Sequence, residues 1–184
     1  MFEEQGEITI RRAAPEDDAQ LGELLVTAYV AGYAKKLPHI VVSEARKRDL
    51  RAVSDRRDVA IILVAELHES RNSAPSTARI VGTVAIWPAG KPGSEAWIDG
   101  AVDLRHLATA PDLHGRGLSR ILLDEAERIV RDELRATTIC LHVRRGNEGV
   151  RAIYEARGYV RDESGDLEYP GVSLMAFAKQ LSIE

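Results

Sequence analysis

At 184 residues the chain has room for one domain with a sizeable core. Hydrophobic residues make up 45%, charged residues 29%, and the net charge is −4, which excludes the broad basic field that nucleic acid or an anionic membrane would select. A single cysteine, Cys140, excludes an internal disulfide and fits a reducing compartment. The longest apolar run, Val59 to Ala65, falls far short of a membrane span, and the acidic start, Met1 to Glu7, is the opposite of a signal peptide. A cytoplasmic protein with no nucleic-acid or membrane partner is expected, folded as one domain over residues 1–184.

Ile8 to Arg12 alternates apolar and polar residues and reads as a first strand. Pro15 and the acids Glu16, Asp17 and Asp18 open a helix whose apolar face is Leu21, Leu24, Leu25 and Ala28. Gly32 to Val42 reads as irregular, broken by Pro38, and Ser43 begins a short charged helix ending near Val53. Val59 to Glu66 is a second strand, buried and β-branched, and Arg79 to Trp87 a third, paired with it as a hairpin across a loop from Ser70 to Ala78. After a loop from Pro88 to Glu95, Trp97 to Thr109 contains a fourth strand.

Its end, Leu107-Ala108-Thr109-Ala110, is stopped by Pro111 and followed by the turn His114-Gly115-Arg116-Gly117. An amphipathic helix then begins, with Leu118, Ile121, Leu122, Ala126, Ile129 and Val130 at helical spacing. A strand passing through a glycine turn into a helix leaves the first-turn N–H groups unpaired and aimed outward, at the positive end of the helix dipole. Such a turn suits a phosphate, with Leu118 and Ser119 in that first turn and Arg116 and Arg120 adding charge beside it. A lone Gly-x-Gly is more often a plain connection that binds nothing, so the signals around it must decide.

Thr138 to Val143 is a fifth strand, Glu148 to Arg157 a helix closed by Gly158, and the last strands are Tyr159 onward and Val172 to Ala178, joined by a loop carrying Pro170 and Gly171. The order is β-α-α-β-β-β-α-β-α-β-β, an α/β domain with a mixed central sheet flanked by helices, in which the fourth and fifth strands are parallel neighbours across a right-handed crossover. Asp124/Arg128 and Glu127/Arg131 are spaced as i,i+4 ion pairs on a solvated face. Cys140 and His142 share a face of the fifth strand and read as structural. Trp87 and Trp97 flank the glycine-rich loop, with core packing as their default.

This order and two motifs resemble the GNAT superfamily of acyl-CoA-dependent N-acetyltransferases. The first is His114-Gly115-Arg116-Gly117-Leu118-Ser119 with Leu107 to Pro111 upstream, similar to the family's pyrophosphate signature; His114 and Ser119 depart from its usual first and last residues. The second, Asn147 to Tyr159, looks like the family's Asn-x-x-Ala-x-x-x-Tyr-x-x-x-Gly-aromatic element, with Val150 in the alanine position. The resemblance implies acetyl-CoA as co-substrate, no metal, and direct attack on the thioester by a primary amine of a small-molecule acceptor; a homodimer is compatible with it. Its rivals are a catalytically degraded acyl-CoA-binding domain and an acetyltransferase for protein N-termini or lysines. A dinucleotide site is disfavoured, because Gly115-x-Gly117-x-x-Arg120 lacks the third glycine and Arg144-Arg145, not an acid, end the next strand.

The implied chemistry needs a neutral amine, a stabilised oxyanion and a proton for the coenzyme A thiolate. A lysine-type amine with pKa about 10.4 is neutral in only about one molecule in two thousand at pH 7, so a base matters most there. The resemblance gives Tyr154 as the acid and Asp103 as the first choice of base, weakened if Arg105 pairs with it. His106 is the second choice, with an unperturbed pKa near the working pH. Backbone N–H groups of Leu107, Ala108 and Thr109 are expected at the oxyanion and Asn147 at the pantetheine arm, while 28–59 and 88–95 are expected to shape the acceptor pocket.

Overall fold

In a computed structural model of the chain, residues 6–68 and 78–182 are described. Eight strands form one sheet in the order β1-β2-β3-β4-β5-β8-β6, with β7 beside β6 on the same strand. The strands are β1 Glu7–Arg12, β2 Ile61–His68, β3 Ala78–Trp87, β4 Val102–Thr109, β5 Thr138–Arg144, β6 Val160–Arg161, β7 Leu167–Tyr169 and β8 Val172–Gln180. Every pairing is antiparallel except β4 with β5. Helices α1 (Asp18–Lys36), α2 (Glu44–Arg51), α3 (Val53–Arg57), α4 (Leu118–Arg128) and α5 (Glu148–Glu155) cover it. The mixed sheet and its flanking helices agree with the fold expected from the sequence.

Consecutive residues Leu63, Val64 and Ala65 of β2 are all buried, which requires cover on both faces of the sheet. Helix α4 lies on β2, β3 and β4, seated through Leu118, Leu122, Leu123 and Ala126. Gly82 of β3 makes that approach close: a Cβ there would stand 2.9 Å from Leu122 Cδ1. Helix α1 packs on β3 and β4, burying Leu21, Leu24 and Leu25.

Several boundaries differ from the sequence reading, each for a physical reason. Helix α1 runs through Gly32, a residue of poor propensity, to Lys36, and Leu37 just beyond it is buried. It ends at Leu37, just before Pro38, whose ring disfavours helical geometry in the residue ahead of it. The helix after Ser43 is two helices broken at Ala52; the Ser43 hydroxyl caps the first, accepting from Arg46 N–H at 3.2 Å. Helix α4 continues as a π-helical turn, Ile129–Glu133. The C-terminal region holds three strands where two were expected. β6 and β7 share one edge of β8, and between them the Asp166 carboxylate accepts the Ala176 N–H at 2.9 Å in place of a strand partner. The expected 70–78 loop lies outside the described residues apart from Ala78, which belongs to β3.

The expected i,i+4 pairs give way to longer-range ones. Asp124 and Glu127 both meet Arg157, Glu127 also meets Lys179, and Arg128 pairs with Glu125 and Glu133. The Arg157 and Lys179 contacts tie α4 to the turn after α5 and to β8, which helix spacing cannot foresee, whereas the Arg128 pairs stay within the helix and its extension.

Candidate active site

The parallel pair β4–β5 is joined only at Val102↔Ile139 and Asp103↔Cys140. Beyond those two rungs the strands part, and a cleft of about 430 Å³ opens between them. Residues Leu104 to Thr109 all border it in succession. Side-chain alternation would give the cleft only every second residue, so it is the free backbone edge of β4 that faces it. A bulge shapes this edge: Thr83 pairs with Ala108 but Ala85 with Arg105, which leaves one extra residue in β4. His106 absorbs it with φ +57°, in the left-handed region.

At one end of the cleft stands the glycine turn. Gly115 and Gly117 both have φ +80°, and a Cβ on either would meet nothing within 4 Å. The first helical N–H groups to close are those of Arg120 and Ile121, both onto the Gly117 carbonyl at 3.0 and 3.3 Å. The amides of Leu118 and Ser119 in the first turn precede them and have no helical acceptor. His114, Arg116 and Arg120 are exposed around this open space. A second hollow continues past Leu113, Gly117, Leu118, Arg120 and Arg157, sharing Thr109, Gly115, Ser119 and Ile153 with the main cleft. The described opening therefore runs from the free edge of β4 to the start of α4.

Helix α5 closes the far wall. Tyr154 borders the cleft while 4% exposed, and burial pushes its phenol well above the ordinary value. Its ring meets that of Tyr159 edge-on, with centroids 5.4 Å apart. Asn147, at the N-terminus of α5, also borders the cleft, and its buried Oδ1 has no partner among the described residues. Asn147 does not use its side chain to cap the helix. Helix α1 contributes Tyr29, Tyr33 and Lys36, the last beside Gly149 of α5, so the 28–59 region expected to shape an acceptor pocket reaches the cleft through α1. The 88–95 loop does not border it.

The structure separates the two base candidates. Asp103 is fully buried and is not a cleft residue. Its Oδ2 accepts the Glu95 N–H at 2.7 Å, and Arg105 stands 3.9 Å away. The expected depression by Arg105 is outweighed: burial raises the Asp103 carboxyl above 3.8, and its Oδ1 has no partner among the described residues. His106 does border the cleft, but its pKa is not near the working range. Burial, and then the charges of Arg56, Arg105 and Arg46, push it well below 6.5, so the ring is neutral at neutral pH. Its Nδ1 is buried without a partner, and the ring lies 5.8 Å from that of Trp87.

His142, read from the sequence as structural, lies on the cleft wall with 5% of its side chain exposed. Its Nε2 is 2.9 Å from the Gly165 carbonyl. A carbonyl can only accept, so Nε2 carries the hydrogen, and in the neutral ring Nδ1 holds the lone pair. That Nδ1 has no hydrogen-bond partner among the described residues, and Glu95 Oε2 is 4.0 Å away. The usable signal was its position: it follows the last β4–β5 rung at Cys140, so it falls where the strands have parted. Cys140 itself is wholly buried, and neither Trp87 nor Trp97 borders the cleft. Trp97 Nε1 donates to Asp162 at 2.8 Å. Among the described residues no group of three or more His, Cys, Asp or Glu side chains is placed to hold a metal.

A parallel strand pair that parts over a glycine-led helix is the arrangement of an acetyltransferase fold. The chain belongs to the acetyltransferase (GNAT) family, which matches residues 46–159. No curated protein sequence matches it. Among solved structures it is similar to a GNAT-family acetyltransferase from Staphylococcus aureus Mu50, at 16% identity over 96% of this chain and 100% of that one, TM-score 0.66. It is similar to the PaiA N-acetyltransferase of Thermoplasma acidophilum in complex with coenzyme A, at 18% identity over 92% and 98%, TM-score 0.64. A spermidine N-acetyltransferase from Vibrio cholerae, in complex with CoA and spermine, is 18% identical over 96% of both chains, TM-score 0.61. At these identities the likeness is one of fold. No helix among the described residues is long and apolar enough to cross a membrane.

Proposed function

We propose that the chain transfers an acetyl group from acetyl-CoA to an amine of a small molecule. The observation that carries this reading is the continuous opening from the unpaired amides at the start of α4, along the free edge of β4, to Tyr154. The residues fit coenzyme A: the turn offers open space above two glycines, unpaired amides and exposed arginines to a diphosphate. The orphaned Asn147 Oδ1 suits an amide N–H of a pantetheine arm. Acetyl-CoA, when bound, supplies an activated acetyl thioester.

Leu118 and Ser119 would bind the diphosphate through their amides, with Gly115 and Gly117 admitting it and His114, Arg116 and Arg120 flanking it. Leu107, Ala108 and Thr109 line the arm's path, and the N–H groups among them that point to the free edge of β4 are offered to the charge that builds on the acetyl oxygen. Tyr154 holds the proton that the departing thiolate needs. Burial raises the phenol, but it raises a thiol in the same cleft for the same reason, so the gap between donor and acceptor stays small. Of the groups that could take the amine proton, His142 and His106 border the cleft, each with a buried Nδ1 that has no partner among the described residues, whereas Asp103 does not border it.

The test is thiol release from acetyl-CoA in the presence of a panel of primary amines, alongside calorimetric titration of acetyl-CoA. Amine-dependent release supports the reading. Tight binding with no release from any amine would replace it with an acyl-CoA-binding role, and absence of both would remove the coenzyme A site.

A further inference from the structure

The acetyltransfer reading leaves the acceptor unnamed, but the wall where the end of α1 meets the start of α5 carries a charge pattern of its own. Twenty-one described residues border the cleft and none of them is Asp or Glu, while Lys36, Arg105 and Arg144 are cations. Arg105 is already engaged, its guanidinium 3.3 Å from the Glu95 carboxylate and 2.8 Å from the Gly93 carbonyl. Lys36 and Arg144 have no carboxylate partner among the described residues. Arg144 is held in place: it donates to the Gly171 carbonyl at 2.9 Å, and its guanidinium lies 5.2 Å over the Tyr33 ring. Those contacts hold the group while leaving most of its five donors for a ligand.

Neither cation borders the second hollow at the start of α4, which has Arg120 and Arg157 instead. Positive charge on the α1 side of the cleft is therefore separate from the charge beside the diphosphate cradle. A polyamine entering past Lys36 and Arg144 would meet like charge and no carboxylate, whereas an acceptor with an anionic group would find two unpaired cations. We propose that the acceptor is an amine bearing its own anionic group, a carboxylate or a phosphonate, in the manner of an amino acid, and that Lys36 and Arg144 select it. This rests on the acetyltransfer reading above.

The experiment compares acetyl-CoA turnover on matched amines: phenylalanine, its aminophosphonate analogue, phenethylamine, and spermidine. At least tenfold higher kcat/KM for the two anionic members than for phenethylamine is expected, and their ratio tells carboxylate from phosphonate. Lys36→Gln and Arg144→Gln should each raise KM for the preferred anionic amine about tenfold and shrink its advantage over phenethylamine. Arg144→Lys should restore part of that advantage, and calorimetry should show acetyl-CoA affinity shifted less than twofold. Preference for spermidine or phenethylamine, or an advantage untouched by Lys36→Gln, overturns the inference while leaving acetyltransfer standing. Thiol release with none of these amines or any in a wider panel, where acetyl-CoA still binds, removes the acetyltransfer reading itself.

Discussion

Tyr154 and His106 show how far one residue's chemistry depends on what surrounds it. The phenol of Tyr154 is buried beside Tyr159 and held protonated. Tyr154→Phe keeps the ring packing and removes only the hydroxyl. It is expected to lower kcat at least tenfold with acetyl-CoA affinity within twofold, read from steady-state rates and calorimetry; an unchanged rate would strip the residue of its proposed role. For His106 the sign of the pH effect follows from its lowered pKa. Between the folded value and 6.5 the unfolded chain binds the proton and the folded chain does not. Its contribution to stability is therefore full above 6.5 and declines as pH falls below it. An NMR titration should find this ring titrating well below 6.5.

At the scale of elements, two glycines control how α4 meets the sheet and what its start can hold. Gly117 stands at φ +80° with open space beyond it. Gly117→Ala costs only the left-handed backbone, about 1–2 kcal/mol. It also sets a methyl at the turn, and a tenfold or greater rise in the acetyl-CoA Kd is expected by calorimetry. Gly82→Ala acts differently, because the new methyl presses on Leu122, which is wholly buried. Overpacking of about 1–3 kcal/mol is expected in denaturant unfolding. An unchanged midpoint would mean that α4 can move off β3 at little cost.

Across the molecule, ion pairs fasten the far edge of the sheet to α1. Arg11 of β1 meets both Asp17, at the start of α1, and Glu66 of β2. The Arg11 guanidinium holds the Asp17 carboxyl below its ordinary 3.8. With a depressed folded value, the stabilisation is present above 3.8 and lost as pH falls through the folded pKa. Asp17→Asn should therefore be less stable than the parent at pH 7, and the two unfolding curves should converge below about pH 4. Curves that stay apart in acid would assign the loss to packing instead.

The amino-acid sequence by itself determined the order of strands and helices, apart from the break between α2 and α3 and the third C-terminal strand, together with the parallel β4–β5 crossover and the glycine turn. Each of these follows from local spacing, from Pro111 stopping a strand, and from glycines that admit a left-handed turn. The Asn147 to Tyr159 element was equally legible, since a helix's register is set within a dozen residues. Only the tertiary structure decided which chemistry faces the cleft. Asp103 and His142 look alike as polar residues on strands, yet the last rung between β4 and β5 falls at Asp103 and Cys140, so one is sealed in the sheet and the other lies beyond the parting. The depressed His106 and the unpaired Lys36 and Arg144 have the same origin. Burial and charge at a site are sums over residues distant in the chain, and no local pattern records them.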